Sequence, residues 1–148
     1  MTAKEILDSK GRKVISIKEY ATVYEAVLEL VNNKIGLLIV NNNNGEITGV
    51  LSERDIVQKC ILPKKDPMQL KASEIMTPRE KIIAAAESDD VQLLMNTMTR
   101  KKIRHLPIFK GKELSGIISI GDIIKNLLEQ KDYEIRTLID YISGKYPA

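Results

Sequence analysis

The sequence predicts a mixed α/β protein of the α+β class, in which one unit of strand, helix, strand, strand and helix occurs twice and a further helix follows. Two observations lead to this prediction. Residues 49–55 and 116–122 share the pattern Gly-x-x-Ser-x-x-Asp, and the apolar segments around them follow one another in the same order. Self-similarity at a fixed spacing is typical of a duplicated structural unit.

The spacing of equivalent residues supports the duplication. One offset separates three pairs of apolar residues, namely Val23 and Val91, Leu30 and Met98, and Val40 and Ile108. The offset becomes one residue shorter after the loop that joins the two later strands, where a change of length costs little. Two equivalent units are therefore expected, each too small to bury a large core alone.

The first repeat is predicted over residues 13–60. The pattern Thr22-x-x-Glu25 is a capping box, in which two side chains satisfy free N–H groups, and it opens the first helix. The other predicted elements are a strand at 14–17, paired strands at 35–40 and 47–51, and a helix from Ser52 to about Lys59. A polar linker with two prolines follows at 61–73.

The second repeat is predicted over residues 74–130, with a strand at 82–85, a helix capped within 88–90, strands at 106–109 and 114–118, and a helix at 120–128. A separate C-terminal helix is predicted at 131–144, because Ile135, Leu138, Ile139 and Ile142 fall on one helical stripe before Ser143-Gly144. This helix either covers a core or crosses to a partner subunit. A short capped helix is also expected at residues 2–7.

Composition narrows the class of protein. The 148 residues include 23 Lys+Arg against 20 Asp+Glu, and the charges are interspersed, which does not favour a nucleic-acid partner. A single cysteine, Cys60, closes no intrachain disulfide, and no clustered Cys or His offers a metal site, so a reducing cytoplasm is expected. No apolar stretch approaches membrane-spanning length, which predicts a soluble protein with no membrane partner.

The repeated Ser-x-x-Asp has two interpretations. As a capping box, it satisfies the N–H groups at a helix start. As a ligand-binding pair, its hydroxyl and carboxylate lie beside a helix N-terminus that favours an anionic ligand. Its occurrence in two complete repeats favours both roles together, for Ser119 with Asp122 and for Ser52 with Asp55.

The ordered set of motifs resembles one family. The segments Ile-Met-Thr-Pro at 75–78, Arg-His-Leu-Pro-Ile at 104–108 and Gly-Ile-Ile-Ser-Ile-Gly-Asp at 116–122 are similar to tandem cystathionine β-synthase (CBS) domains, the Bateman module. The segments 52–55 and 140–144 resemble small stand-alone bacterial CBS pairs. The resemblance extends from about residue 13 to residue 145.

The resemblance implies two CBS repeats with pseudo-two-fold symmetry, clefts between them, and a homodimer formed through helices. Members of this family bind adenine-containing ligands, so AMP is the expected ligand of this protein, with ATP, NAD and S-adenosylmethionine as alternatives. The family assigns the ribose hydroxyls to the motif Asp and the ribose or phosphate side to the motif Ser. These roles fall to Asp122 with Ser119, and to Asp55 with Ser52. An ionised carboxylate suits a vicinal diol, because it only accepts hydrogen bonds.

The two repeats differ where a phosphate would bind. Arg104 and His105 of the second repeat correspond to Gly36 and Leu37 of the first, whereas Lys102 corresponds to a lysine. The principal nucleotide site is therefore expected beside Asp122, with Arg104 as the strongest phosphate candidate.

Other candidates follow from the resemblance, and each has a structural alternative. Pro107 resembles the adenine-flanking position, and Ile83 and Ala84 would supply backbone groups. Arg54 either reaches a phosphate or forms a surface ion pair. His105 is either a ligand contact or a packed edge residue, and Arg104 is either a phosphate ligand or a solvated helix end.

These observations favour a non-catalytic nucleotide sensor that acts on a regulated protein outside this chain. One His and one Cys form no recognisable nucleophile and base, so no enzymatic activity is expected. A purely structural dimerisation or adaptor module, in which the Ser-x-x-Asp motifs are only caps, is the alternative.

Overall fold

The computed structural model describes residues 1–143, and these residues confirm the mixed α/β class. The helices are α1 Ala3–Lys10, α2 Val23–Asn33, α3 Glu53–Ile56, α4 Ala72–Ile75, α5 Val91–Lys101 and α6 Ile120–Ile142. The strands are β1 Ser16–Lys18, β2 Leu37–Asn41, β3 Ile47–Ser52, β4 Thr77–Pro78, β5 Ala85–Ala86, β6 His105–Lys110 and β7 Glu113–Ser119. A π-helical segment, Val57–Ile61, follows α3, and a short 3-10 helix, Arg79–Lys81, follows β4.

The chain divides into two compact units, one of which is continuous in sequence while the other combines two segments. The first-repeat unit is Lys13–Ala84, and the second-repeat unit combines Met1–Arg12 with the chain from Ala85 onward. Helix α1 thus belongs with the second repeat, whereas α4 and β4 belong with the first.

The first-repeat unit contains a four-stranded sheet in the order β1-β2-β3-β4. Strand β1 runs parallel to β2, and the other two pairings are antiparallel. As expected for a continuous apolar run, residues 37–40 are all buried. Leu38, Val40 and Leu51 pack with the apolar face of α2, which holds Val23, Ala26 and Leu30.

The second-repeat unit contains the equivalent sheet in the order β5-β6-β7. Ala85 pairs with Ile108 in the parallel ladder, as Ile17 pairs with Val40 in the first-repeat unit. Its core contains Leu94, Leu106, Ile108, Ile118 and Ile123, together with Ile6 and Leu7 from α1. The N-terminal helix therefore supplies part of the core of the second repeat.

Helix α1 docks on the second-repeat unit in the same way as α4 docks on the first-repeat unit. In the second-repeat unit, the backbone N–H of Ala3 donates to the carbonyl of Asp89 at 2.8 Å. In the first-repeat unit, the N–H of Ala72 donates to the carbonyl of Ala21, also at 2.8 Å. These residues occupy equivalent positions, so the duplicated structure includes the preceding helix.

Several element boundaries differ from the predictions, and three of the differences are the largest. The strand predicted at 82–85 begins only at Ala85, and the helix after Ser52 changes to a π-helix at Val57. The two helices predicted at 120–128 and 131–144 form one helix, Ile120–Ile142, because the intervening Glu, Gln and Lys are good helix formers. The predicted stop at Gly144 lies outside the described residues.

Candidate functional site

Ser119 and Asp122 lie where β7 passes into α6. Ser119 has extended backbone angles and is the N-cap of the helix. The backbone N–H of Asp122 donates to Ser119 Oγ at 3.2 Å, and the N–H of Ser119 donates to Asp122 Oδ2 at 2.8 Å. This reciprocal pair confirms the predicted capping box. It also fixes the carboxylate at the N-terminus of the longest helix in the described residues.

Lys10 pairs with this carboxylate, which the sequence did not predict. Its ammonium lies 2.5 Å from Asp122 Oδ2 and 2.7 Å from the carbonyl oxygen of Ile117. Lys10 is the last residue of α1, and Gly11, with φ of 101°, ends that helix. The side chains of Lys10 and Asp122 are 32% and 22% exposed, so the ion pair is partly shielded from water.

The surroundings of Asp122 favour its ionised form. Burial would raise the pKa of the carboxyl group, but the hydrogen bonds from Lys10 and from the backbone N–H of Ser119 outweigh burial. The pKa of Asp122 consequently lies below its ordinary value of 3.8. At neutral pH this group is an anion that accepts hydrogen bonds and donates none.

The first-repeat unit has the same cap with a different counter-ion. Asp55 Oδ2 accepts the N–H of Ser52, and Ser52 Oγ accepts the N–H of Asp55, both at 3.1 Å. Lys59, four residues further along the chain, lies 3.2 Å from Asp55 Oδ1 and donates to the carbonyl of Ile75. Asp55 is only 8% exposed, so this carboxylate is the less accessible of the two.

Strand β6 carries the remaining candidates of the second-repeat unit. His105 pairs opposite Ser119 and Pro107 pairs opposite Ile117, so both lie on the strand next to the motif. His105 is partly buried and Pro107 is buried. The carbonyl of Arg104 accepts the N–H of Ile120 at 2.9 Å, which ties the start of β6 to the start of α6.

The basic side chains before β6 are exposed. Lys102 is the C-cap of α5 and has a left-handed backbone with φ of 55°, and Arg104 follows two residues later. Within residues 1–143, neither side chain forms an ion pair, so both cations are open to solvent.

The structure does not bring all candidates into one unit. Arg54, Ile83 and Ala84 belong to the first-repeat unit with Ser52 and Asp55, and all three are exposed. Ser119, Asp122, Arg104, His105, Pro107 and Lys102 belong to the second-repeat unit. The nucleotide-binding roles of Arg54, Ile83 and Ala84 stay predictions.

Residues 1–143 contain neither a clustered metal-ligand set nor a helix able to span a membrane. No group of three or more His, Cys, Asp or Glu side chains is placed to hold a metal ion among them. None of their helices is both long and apolar enough to cross a membrane.

Known proteins share this arrangement. The CBS domain family model matches residues 3–61 and 72–129, so both matches include the helix that precedes the strands. The CBS domain-containing protein CBSX3, mitochondrial, of Arabidopsis thaliana is 30% identical over 151 residues, which cover 98% of this chain and 73% of that protein.

Solved structures agree with the family match. A protein with CBS domains from Burkholderia ambifaria has a TM-score of 0.81 at 32% identity, covering 87% of this chain and 95% of its own. A CBS domain protein from Pyrobaculum aerophilum, solved in complex with AMP, has a TM-score of 0.70 at 30% identity, covering 82% and 89%. Together with the duplicated caps and sheets, these matches show that the chain belongs to the CBS domain family, as a tandem pair of CBS domains.

Proposed function

We propose that this protein is a non-catalytic sensor of adenine nucleotides, with its principal site at Asp122. The observation that carries the proposal is an ionised, partly exposed carboxylate held at the start of α6, directly after β7, whose partner strand β6 begins at His105 and follows Arg104. A similar CBS domain protein has AMP bound, which supports the same ligand class here.

The chemistry of Asp122 suits a ribose. A vicinal diol donates two hydrogen bonds, and a carboxylate accepts both, with charge-assisted strength. Ser119 supports this role indirectly, because its backbone N–H binds the Asp122 carboxylate and its hydroxyl accepts the Asp122 backbone N–H, which together fix the residue. The N-terminal end of α6 adds a positive dipole end that favours an anionic ligand.

Phosphate recognition is assigned to the basic residues before β6. Arg104 and Lys102 are exposed cations two residues apart, and Arg104 offers a planar fork for phosphate oxygens. His105 lies next to Arg104, and Pro107 is the proposed wall beside the adenine ring. The first repeat keeps only a lysine equivalent to Lys102, and Gly36 and Leu37 replace Arg104 and His105.

AMP is the proposed ligand, with ATP, NAD and S-adenosylmethionine as the other members of the same class. Ser52 and Asp55 form a proposed second, weaker site. Asp55 is more buried than Asp122, and its repeat has no basic residue at the positions of Arg104 and His105.

A panel of AMP, ATP, NAD and S-adenosylmethionine in a thermal-unfolding assay tests this function. A ligand present at a hundred times its Kd adds about 2.7 kcal/mol to the free energy of unfolding. We expect AMP to raise the Tm of the wild type and to lose this effect in Asp122→Ala. The proposal is wrong if none of the four compounds raises the Tm, or if Asp122→Ala responds as the wild type does.

The structural alternative is a dimerisation module in which the capping boxes do nothing else. It predicts that Ser119→Ala and Asp122→Ala lower stability by the same amount with and without AMP. The sensor predicts a larger loss for Asp122→Ala in the presence of AMP, so the same assay separates the two functions.

A second copy of the chain is the proposed structural partner. Past the core, α6 exposes apolar residues at spacings of seven, three and four, which fit the seam positions of a heptad pattern. These residues and their exposed fractions are Leu128 61%, Ile135 53%, Leu138 61% and Ile142 83%. We propose a homodimer formed in part through this stripe.

The output of the sensor is proposed to reach a regulated protein through a change in the conformation or assembly of the dimer. A ligand shifts such an equilibrium only by its difference in affinity for the two states. Cytoplasmic location is proposed because Cys60, the one cysteine of the sequence, is a buried free thiol.

A further inference from the structure

The carboxylates of the two repeats are neutralised in different ways. Lys59 reaches Asp55 from the next turn after α3, so this ion pair is local in sequence. Lys10 reaches Asp122 from the end of α1, across 112 positions of the chain. The ion pair at Asp122 therefore connects the proposed ligand site to the N-terminal helix.

The two carboxylates also differ in which of their oxygens accept hydrogen bonds or pair with an ammonium. At Asp55 the Ser52 N–H reaches Oδ2 and the Lys59 ammonium reaches Oδ1. At Asp122 the Ser119 N–H and the Lys10 ammonium both bind the same oxygen, Oδ2. A carboxylate oxygen has about two favourable acceptor directions, so Oδ2 of Asp122 is saturated.

A diol that donates to both carboxylate oxygens of Asp122 needs a free acceptor direction on Oδ2. The cap bond from Ser119 is part of the helix start, and its loss would cost about 1 kcal/mol. The bond from Lys10 joins two partly exposed side chains, and such pairs contribute roughly 1 kcal/mol or less. Lys10 can also turn into solvent, because its side chain is 32% exposed.

We propose that Lys10 is an affinity-determining residue of the nucleotide site, which occupies Asp122 in the free protein and leaves it when a ribose diol binds. The inference rests on the proposed function, because it needs a ligand at Asp122. Displacement of Lys10 removes the ammonium from Asp122 Oδ2 and from the carbonyl of Ile117, two bonds that fasten the end of α1. Ligand binding thereby loosens the last turn of α1, whose N-terminal part stays docked through Ile6 and Leu7.

The test compares two variants of the same helix by calorimetric titration with AMP. Lys10→Met removes the competing ammonium, whereas Lys4→Met removes an exposed cation that, among residues 1–143, pairs with Asp8. Both variants lose one positive charge, so their long-range attraction for the phosphate falls alike. We expect Lys10→Met to bind AMP roughly fivefold more tightly than Lys4→Met.

A ligand without the diol provides the second arm. With 2′,3′-dideoxy-AMP the two variants should bind equally, because nothing then competes for Asp122 Oδ2. In the wild type, AMP should also speed hydrogen exchange of the Gly11 amide, which donates to Leu7 at the end of α1.

The outcomes separate this inference from the proposed function. If the wild type binds AMP but Lys10→Met binds it no more tightly than Lys4→Met, Lys10 does not compete and the inference alone is wrong. If Gly11 exchange is unchanged by bound AMP, α1 is not loosened and the displacement is wrong. If the wild type does not bind AMP, the AMP site and the inference are both wrong.

Discussion

Gly116 lies directly against Leu7: a Cβ atom at Gly116 would come within 2.7 Å of the Leu7 Cδ2 atom. The other motif glycine has an equivalent neighbour, since a Cβ at Gly49 would lie 2.7 Å from Met76 Sδ and 2.5 Å from the backbone oxygen of Thr77. In each unit the preceding helix or the residues directly after it cover the motif strand, since Leu7 lies within α1 and Met76 follows α4. The glycine of Gly-x-x-Ser-x-x-Asp therefore makes room for this cover.

Alanine at these glycines should destabilise both units, and Gly49→Ala should cost more. Overpacking of a core typically costs 1–3 kcal/mol. We expect about 1 kcal/mol for Gly116→Ala, because the Leu7 side chain can turn away, and about 3 kcal/mol for Gly49→Ala, because the Thr77 carbonyl cannot. Urea unfolding measures both values. Equal costs would show that the backbone contact at Gly49 relaxes as easily as a side chain does.

The packing of α1 on the second-repeat core should contribute to the free energy of unfolding. Ile6 is fully buried in the second-repeat core, so Ile6→Ala should cost 2–5 kcal/mol, the usual range for such a truncation. Leu93→Ala is the control, because Leu93 is 48% exposed on α5 of the same unit. If the two variants unfold at the same urea concentration, α1 does not contribute to this core.

Stability should fall at acidic pH in part through Asp122. Its pKa is lower in the folded state than the ordinary 3.8, so its contribution is present above that pH and is lost as the pH falls through the lower folded-state pKa. Asp122→Asn cannot titrate and should lose less stability between about pH 6 and about pH 3 than the wild type loses. Urea midpoints at the two pH values measure this difference. Identical losses in the two proteins would contradict the ion pair with Lys10.

The exposed stripe of α6 should hold two copies together. We expect Ile135→Glu with Leu138→Glu to convert a dimer into a monomer, because two buried carboxylates would be unpaired in the seam. Light scattering after gel filtration measures the mass. Tyr133→Glu is the matched control, since Tyr133 is 70% exposed and lies on the other side of the helix. A wild-type monomer, or a dimer that survives both charges, would refute the stripe as the interface.

The features predicted from local sequence pattern are those that depend on near neighbours. The caps at Ser52 and Ser119 are confirmed. They were predictable because a capping box needs only two residues that are three positions apart. The duplication itself is confirmed by equivalent sheets in the two units. The continuity of α6 could also have been predicted from the sequence, since residues 129–131 include no helix-breaking Gly or Pro.

The features missed depend on distant contacts. No local pattern indicates that Lys10 reaches Asp122, and an exposed lysine in a helix is ordinarily solvated. One signal for the docking of α1 was present, however. Ala-x-Glu-Ile occurs at residues 3–6 and again at 72–75, so the repeat could have been extended to its preceding helix. In both copies the glutamate accepts the backbone N–H of the residue before the helix, Glu5 from Thr2 and Glu74 from Lys71.

Titration of AMP into the wild type, Asp122→Asn and Asp55→Asn tests the central claim most directly. Asparagine keeps an oxygen that can accept the cap N–H but removes the charge that favours the diol. We expect AMP to bind the wild type and Asp55→Asn with similar affinity, and to bind Asp122→Asn at least tenfold more weakly, about 1.4 kcal/mol. Wild-type affinity in Asp122→Asn would contradict the assignment of the nucleotide site to the second repeat.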